Sequence, residues 1–334
     1  MISRTGRYAL TYGLAALVSS FVAICPPSAS HAQPAPPRHI GVLLVGFSHE
    51  NKEPQHFRQG LQDAGYVEGR DVVIEWRYAN GDYTKVPDLV ADLIERDVAA
   101  IVVDSTVTTQ VAKRSTSTIA IVMALVADPL GSGLVTSLAR PGGNVTGLSQ
   151  MTVDLAAKRL QLLKKTIPRL GRVAVLWNPD TPYHRKVIED LEAVAPSLSI
   201  KLSLVPARTP EELDSVMPPI HRARAQALYA IDDPFFDRYR TTIAKLALKA
   251  RLPTSFGQRE YVDEGGLMSY GASYADLFRR SAGYVDRILK GMKAGDLPIE
   301  QPTKFEFVIN LRTAEAIGVT MPQSLLLQAD DVIR

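Results

Sequence analysis

The sequence predicts an α/β protein made of two similar lobes, each with a parallel sheet. Two observations predict it. From His39 on, short β-branched runs alternate with amphipathic helical patterns, as in a parallel sheet covered by helices. The alternation also restarts near residue 150 with no change of composition, so two successive sets of strands share a short join that suits a hinge.

In the first half the strand candidates are His39–Phe47, Asp71–Tyr78, Ala99–Val103, Ile119–Ala127 and Val145–Leu148. The first is continuously apolar and reads as buried; the second alternates and reads as an edge. Between them, Phe57–Ala64 reads as a helix capped by Gly65. Tyr83–Glu95 places Val86, Leu89, Val90 and Leu93 on one helical face. Val107–Arg114 and Leu130–Leu138 read as two more helices, and Pro141-Gly142-Gly143-Asn144 as a turn.

The second half opens with a helix over Leu155–Ile167, striped by Ala156, Leu160, Leu163 and Ile167. Strand candidates follow at Arg172–Trp177, Lys201–Val205, Ala227–Ile231, Pro253–Phe256 and Gly266–Tyr270. Three trailing elements remain: a helix over Tyr274–Lys290, a strand over Pro302–Ile309 and a short helix over Leu311–Ile317. They are too few for a third domain and are expected to complete the two lobes by crossing back over the hinge.

Residues 1–32 read as an export signal. Arg4 and Arg7 form a positive start, Ala9–Cys25 carries no acidic or basic side chain, and Ser30-His31-Ala32 offers small residues at −3 and −1. The apolar run is short and broken by Thr11, Gly13, Ser19 and Ser20, which argues against a retained anchor. Ile24 stands where a lipoprotein signal needs a small residue, which disfavours a lipid anchor at Cys25. The expected location is the periplasm, with residues 33–38 as a flexible, proline-rich leader.

Of 334 residues, removal of 32 leaves 302, enough for two lobes with real cores. The only cysteine, Cys25, leaves with the signal, which excludes disulfides, thiol catalysis and a cysteine-built metal site. Loss of Arg4 and Arg7 lowers the formal charge from +3 to +1, so no nucleic-acid partner is expected.

Ligands of open α/β sheets sit at the carboxyl ends of the strands, where helix N-termini point. In the first lobe those loops offer Phe47, Ser48, Asp104, Ser105, Thr106, Asp128 and Ser149. In the second they offer Asn178, Asp180, Asp232, Asp233, Phe235, Phe256 and Gln258. The set is polar, rich in hydroxyls and fringed with aromatics, which suits a zwitterion or another small polar ligand. Each residue also has a plainer reading: Ser105, Asp128 and Asp180 as helix caps, Asp232-Asp233 as a cap before Pro234, and the phenylalanines as core.

Catalytic constellations are poor. There is no G-x-S-x-G elbow, no H-E-x-x-H helix, no dinucleotide loop and no G-K-[ST] phosphate loop. The histidines at 39, 49, 56, 184 and 221 lack metal-ligand spacing, so neither a cofactor nor a metal is expected. An exported hydrolase or lyase using Asp128 with Asp233 is the weaker alternative, with a sensing partner of a membrane receptor beside it.

Several stretches carry a family resemblance: Phe57–Gly69 (FRQGLQDAGYVEG), Asp128–Leu148 (DPLGSGLVTSLARPGGNVTGL), Lys158–Leu163 (KRLQLL), Asp233–Phe236 (DPFF), Gly265–Gly271 (GGLMSYG), Ile288–Gly291 (ILKG) and Gln301–Asn310 (QPTKFEFVIN). Over nearly the whole mature chain it resembles the substrate-binding proteins of an ABC transport family within the type I periplasmic-binding-protein superfamily. The resemblance implies two Rossmann-like lobes joined by a three-segment hinge, a ligand in the cleft, and delivery to an ABC permease and its ATPase. It also implies a departure: relatives have a small residue before the D-P-F motif, where this chain has Asp232, and a loop richer in Gly and Thr where it has Asp104.

The expected organisation is therefore lobe 1 over 39–150 plus 272–301 and lobe 2 over 151–271 plus 302–334. Crossings are expected near Ser149–Thr152, Gly271–Ser273 and Pro302–Phe305. The expected function is non-catalytic capture, by a monomer, of an amino acid or related zwitterion. Ser105 and Thr106 are expected to take an anionic group and Asp233, with Asp232 close by, a cationic one. Phe47, Phe235 and Phe256 would form the walls, with Ser48, Asp128, Ser149 and Asn178 at the borders.

Overall fold

The computed structural model describes residues 36–334; the predicted signal, Cys25 and the start of the leader lie outside them. The first sheet contains β1 (Arg38–Leu44), β2 (Val72–Tyr78), β3 (Ala100–Val103), β4 (Ala120–Val126) and β5 (Val145–Ser149). All are parallel, in the order β2-β1-β3-β4-β5. Helices α1 (Glu53–Asp63), α2 (Val86–Glu95) and α3 (Thr106–Ser115) connect the first four strands.

The second half runs α4 (Thr152–Thr166), β6 (Arg172–Trp177), α5 (His184–Val194), β7 (Lys201–Pro206), α6 (Pro210–Asp214), α7 (Met217–Arg222) and β8 (Ala227–Ala230). It continues with α8 (Pro234–Arg238), α9 (Arg240–Lys249), β9 (Thr254–Phe256), α10 (Arg259–Asp263) and β10 (Met268–Ala272). Last come α11 (Tyr274–Leu289), β11 (Phe305–Asn310), α12 (Leu311–Ile317), α13 (Gln323–Leu326) and β12 (Asp331–Ile333). The second sheet has seven strands in the order β12-β11-β10-β9-β8-β6-β7, with β11 antiparallel to β10.

Side-chain alternation divides each sheet between two cores. Ile40, Val42 and Leu44 of β1 pack with Phe57 and Leu61 of α1 and with Leu277 and Phe278 of α11. Leu43 and Val45 point the other way, onto Val86, Val90 and Leu93 of α2. In the second sheet Val173 and Val175 pack with Leu160 and Leu163 of α4, and Ala174 and Leu176 with Ile243 and Ala247 of α9.

Helix α11 follows the second sheet in sequence but is buried against the first, so the chain crosses back. It crosses between Ser149 and Thr152, between Ala272 and Tyr274, and before Phe305. The crossing segments bond to one another: the Ser149 amide donates to the Glu300 carbonyl (2.9 Å) and the Ser273 amide to the Lys304 carbonyl (3.1 Å).

Two expectations need correction. Leu130–Leu138 is not a helix but a run of turns. Asp128 Oδ1 takes the Gly131 amide at 2.8 Å and Gly133 adopts φ +66°, while Leu134 and Val135 are still buried. Glycines cost about 1 kcal/mol each inside a helix, so the local bonds win here. The second sheet also gains a strand that no pattern signalled: the trailing strand β11 runs antiparallel to β10, and three-residue β12 pairs with β11.

Candidate functional site

Each sheet reverses its strand order once. The reversal falls between β1 and β3 in the first sheet and between β6 and β8 in the second. Ligand crevices form at such switch points, outside the carboxyl ends of the strands. Here the two crevices face each other. A Cβ added to Gly46, just after β1, would lie 3.0 Å from the Pro234 carbonyl oxygen at the start of α8, so the lobes meet closely at this point.

Beside that contact lies a chamber with about 10 Å³ of free space. Tyr83, Asp104, Ser105, Thr106, Val107, Leu125, Ala127 and Gln150 line it on one side, and Thr181, Tyr183 and Pro234 on the other. Tyr83 and Val107 also border a larger groove of about 710 Å³ that reaches Phe235, Tyr239 and Arg208.

Four buried polar atoms of residues in the chamber wall have no hydrogen-bond partner among the described residues: the Tyr83 hydroxyl, Asp104 Oδ1, Thr106 Oγ1 and Gln150 Oε1. Buried polar groups are rarely left so, and four around one space mark it as built for a polar occupant. Asp104 is fixed by its other oxygen, which accepts from the Val45 (2.8 Å) and Gly46 (3.0 Å) amides. Burial pushes its carboxyl up to about 7 despite those bonds. Ser105 caps α3, accepting from the Thr108 amide at 3.0 Å, and so leaves the first-turn amides of Thr106 and Val107 without intrahelical partners. The positive end of the helix therefore opens into the chamber.

The acids of the second lobe are engaged internally. Asp232 is paired with Arg159 at 2.6 Å and accepts from Thr152 Oγ1 at 3.3 Å. Asp233 caps α8 through the Phe235 amide (2.8 Å) and accepts from Asn178 Nδ2 (3.4 Å) and from the Thr181 hydroxyl. Burial raises its carboxyl to about 6. His184 lies beneath both. Its Nδ1 accepts the Asn178 amide at 2.9 Å, so Nε2 carries the proton and donates to the Asp232 carbonyl at 3.0 Å. Burial lowers its pKa to about 3, which keeps it neutral.

Of the residues the loops after the strands offered, Asp104, Ser105 and Thr106 line the chamber. Asn178 and Phe235 border the larger groove. Phe47 is packed edge-on against Tyr274 and Phe278, and Phe256 is stacked on Tyr261 at 4.3 Å, both inside lobe cores. Ser48 closes a local turn with Asn51, and Ser149 Oγ accepts the Met151 amide at the hinge. Asp128 caps its own turn, and neither it nor Asp233 lines the chamber, so the acid pair of the enzymatic alternative is not assembled there. No sequence motif singles out Tyr83, Gln150, Thr181 or Tyr183, which also line the chamber. Gln150 directly follows β5 and obeys the carboxyl-end rule; Tyr83 lies in a turn before α2 and carries no such signal.

The comparisons with known proteins agree with this architecture. The profile of the family described as ABC transporter substrate binding protein matches residues 42–333. A tyrosine-binding protein of Clostridioides difficile is 26% identical over 284 residues, covering 84% of this chain and 81% of that one. A crystal structure from Streptococcus pneumonia in complex with L-Trp superposes with a TM-score of 0.81 at 25% identity, covering 89% of this chain and 100% of that one. A conserved domain protein from Vibrio cholerae gives a TM-score of 0.81 at 27% identity, covering 89% and 99%.

The two lobes and their hinge have the type I periplasmic-binding-protein fold. The chain belongs to the ABC transporter substrate-binding protein family, whose members are solute-binding proteins rather than enzymes.

Proposed function

We propose that this protein is the exported receptor of an ABC importer, that its ligand is an α-amino acid, and that it passes the ligand to a membrane permease served by an ATPase. One observation carries the ligand class. The four unpartnered atoms around the chamber are complementary to a zwitterion. Asp104 Oδ1 and Gln150 Oε1 accept and suit an ammonium group. The hydroxyls of Thr106 and Tyr83, with the free amides at the start of α3, suit a carboxylate. In this reading the cation is held by Asp104 rather than Asp233, whose oxygens are already occupied within the second lobe.

The ligand's side chain would extend past Tyr83 and Val107 into the larger groove, against Phe235 and Tyr239. An aromatic side chain suits that wall, and the relatives named for tyrosine or solved with L-Trp support it. The chamber as closed is too small for an amino-acid head group, so entry requires the lobes to part at Gly46 and Pro234. Contact with both lobes then lets the ligand favour the closed state, since a ligand shifts an equilibrium only by its differential affinity. Residues 39–150 with 272–301 and 151–271 with 302–334 are the two moving bodies in this scheme.

Calorimetry with L-Trp and L-Tyr, against their N-acetyl and carboxamide derivatives, tests the zwitterion. Binding of the free amino acid that is lost on blocking either end supports the reading; equal binding of the blocked forms overturns it.

A further inference from the structure

A second groove, of about 390 Å³, opens where the start of α1 meets α9, α10 and β11, so both lobes build it. Glu50 and Glu53 come from the first lobe; Glu260, Asp263, Glu264 and Glu306 come from the second. Among the lining residues Lys52, Arg240 and Arg259 oppose these six carboxylates, and Lys304 lies 3.8 Å from Glu306. Arg259 is committed to Asp263 (3.4 Å) and Asp331 (2.8 Å), and Arg240 lies 3.7 Å from Glu53 Oε1.

Glu53 is the informative residue. Its side chain lines the groove and is only 3% exposed, and its second oxygen, Oε2, is buried with no donor among the described residues. A buried carboxylate oxygen is unfavourable there unless something donates to it. Nearby Glu260 is pushed up to about 7, first by burial and next by the charge of Glu53, so the two carboxylates sense each other across the lobes. A metal ion does not fit: among the described residues no three His, Cys, Asp or Glu side chains converge as a metal site. The acids are spread along the groove instead.

We propose that this groove is a second binding site, for an organic cation of the amine class, with its ammonium hydrogens donated to Glu53 Oε2 and Glu260. A two-headed amine fits best, its second ammonium lying toward Glu264. Because the site joins both lobes, the cation also favours the closed state and so couples to the inter-lobe chamber. The site stands independently of what the chamber binds.

The test is calorimetric titration of the purified protein with putrescine near pH 8, above the Glu260 value of about 7. The expected result is saturable binding that weakens about tenfold in Glu53→Gln and in Glu260→Gln, while calcium ions neither bind nor compete. Absence of saturable binding, wild-type affinity in both variants, or displacement by calcium would overturn the proposal. Should either variant fail to fold, amide shifts of the wild-type protein decide. Putrescine must perturb Lys52–His56 and Arg259–Glu264; changes confined to Asp104–Val107 would defeat the assignment.

Discussion

Arg159 on α4 donates from Nη1 to Asp232 Oδ1 at 2.6 Å, and the pair is buried between the first helix of the second lobe and the loop after β8. The guanidinium also lies 5.2 Å above the ring of Tyr229. Asp232 therefore acts first as the counter-ion of a fully buried arginine, whatever else it faces.

Removing one partner of such a pair strands the other charge. Asp232→Ala and Arg159→Ala should each destabilise the protein by about 3–5 kcal/mol. Denaturant unfolding of the single and double variants checks this, and the double variant should cost less than the sum. Full additivity would show that the two side chains do not stabilise each other.

Thr106 and Ser105 are neighbours with separable roles. The Thr106 hydroxyl has no partner in the fold, so Thr106→Val should leave thermal stability unchanged or slightly raised. In the zwitterion reading it should weaken ligand binding by about 1.5–3 kcal/mol, roughly ten- to a hundredfold. Ser105→Ala removes the cap bond to the Thr108 amide and should cost about 1 kcal/mol of stability. Calorimetry and thermal unfolding of both variants separate the effects; equal behaviour of the two would contradict the division.

Asp104 should give ligand binding a pH dependence. Its folded-state pKa is raised to about 7, so the protonated form grows as pH falls through that value. A ligand ammonium prefers the ionised form, so affinity should level off near pH 8, while the ligand keeps its own proton, and fall toward about tenfold per unit below 7. The folded protein has the opposite sign. A raised carboxyl pKa contributes stability at low pH that is lost as pH rises through about 7. Asp104→Asn should abolish the binding slope between about pH 6 and 8, and a slope that survives in this variant belongs to another group.

Gly46 sets how closely the lobes approach. A methyl group there would meet Pro234 Cα and its carbonyl oxygen at 3.0 Å, backbone atoms that cannot swing aside. Gly46→Ala should leave each lobe folded and hold the cleft wider, lowering affinity through a poorer closed state. Small-angle scattering with and without ligand checks it: the variant should contract less on binding than the wild type. An equal contraction would show that closure does not run through this contact.

Much of the fold was legible along the chain because its signals are local. The continuous apolar run of β1 and the apolar faces of α2 and α4 follow from the spacing of Val, Ile and Leu, and most of those residues are buried. Legibility failed where a contact distant in sequence decides the outcome. Residues 130–138 have a helix-like apolar pattern, but glycine backbone freedom and bonds to Lys113 on α3 hold them as turns. Three-residue β12 exists because β11 offers it an edge.

The site divides in the same way. Sequence alone determined that loops after the strands would present hydroxyls and carboxylates, because strand ends and helix caps are set by neighbouring residues. Asp232 and Asp233 look alike in the chain, as do Asp104 and Asp128. Only the tertiary structure decided which of these acids keeps a free oxygen facing the chamber. Arg159 reaches Asp232 from 73 residues away and Thr181 reaches Asp233 from 52, while nothing reaches Asp104 Oδ1. Whether a buried charge is free to meet a ligand depends on which distant donors packing brings within about 3 Å, and no local pattern carries that information.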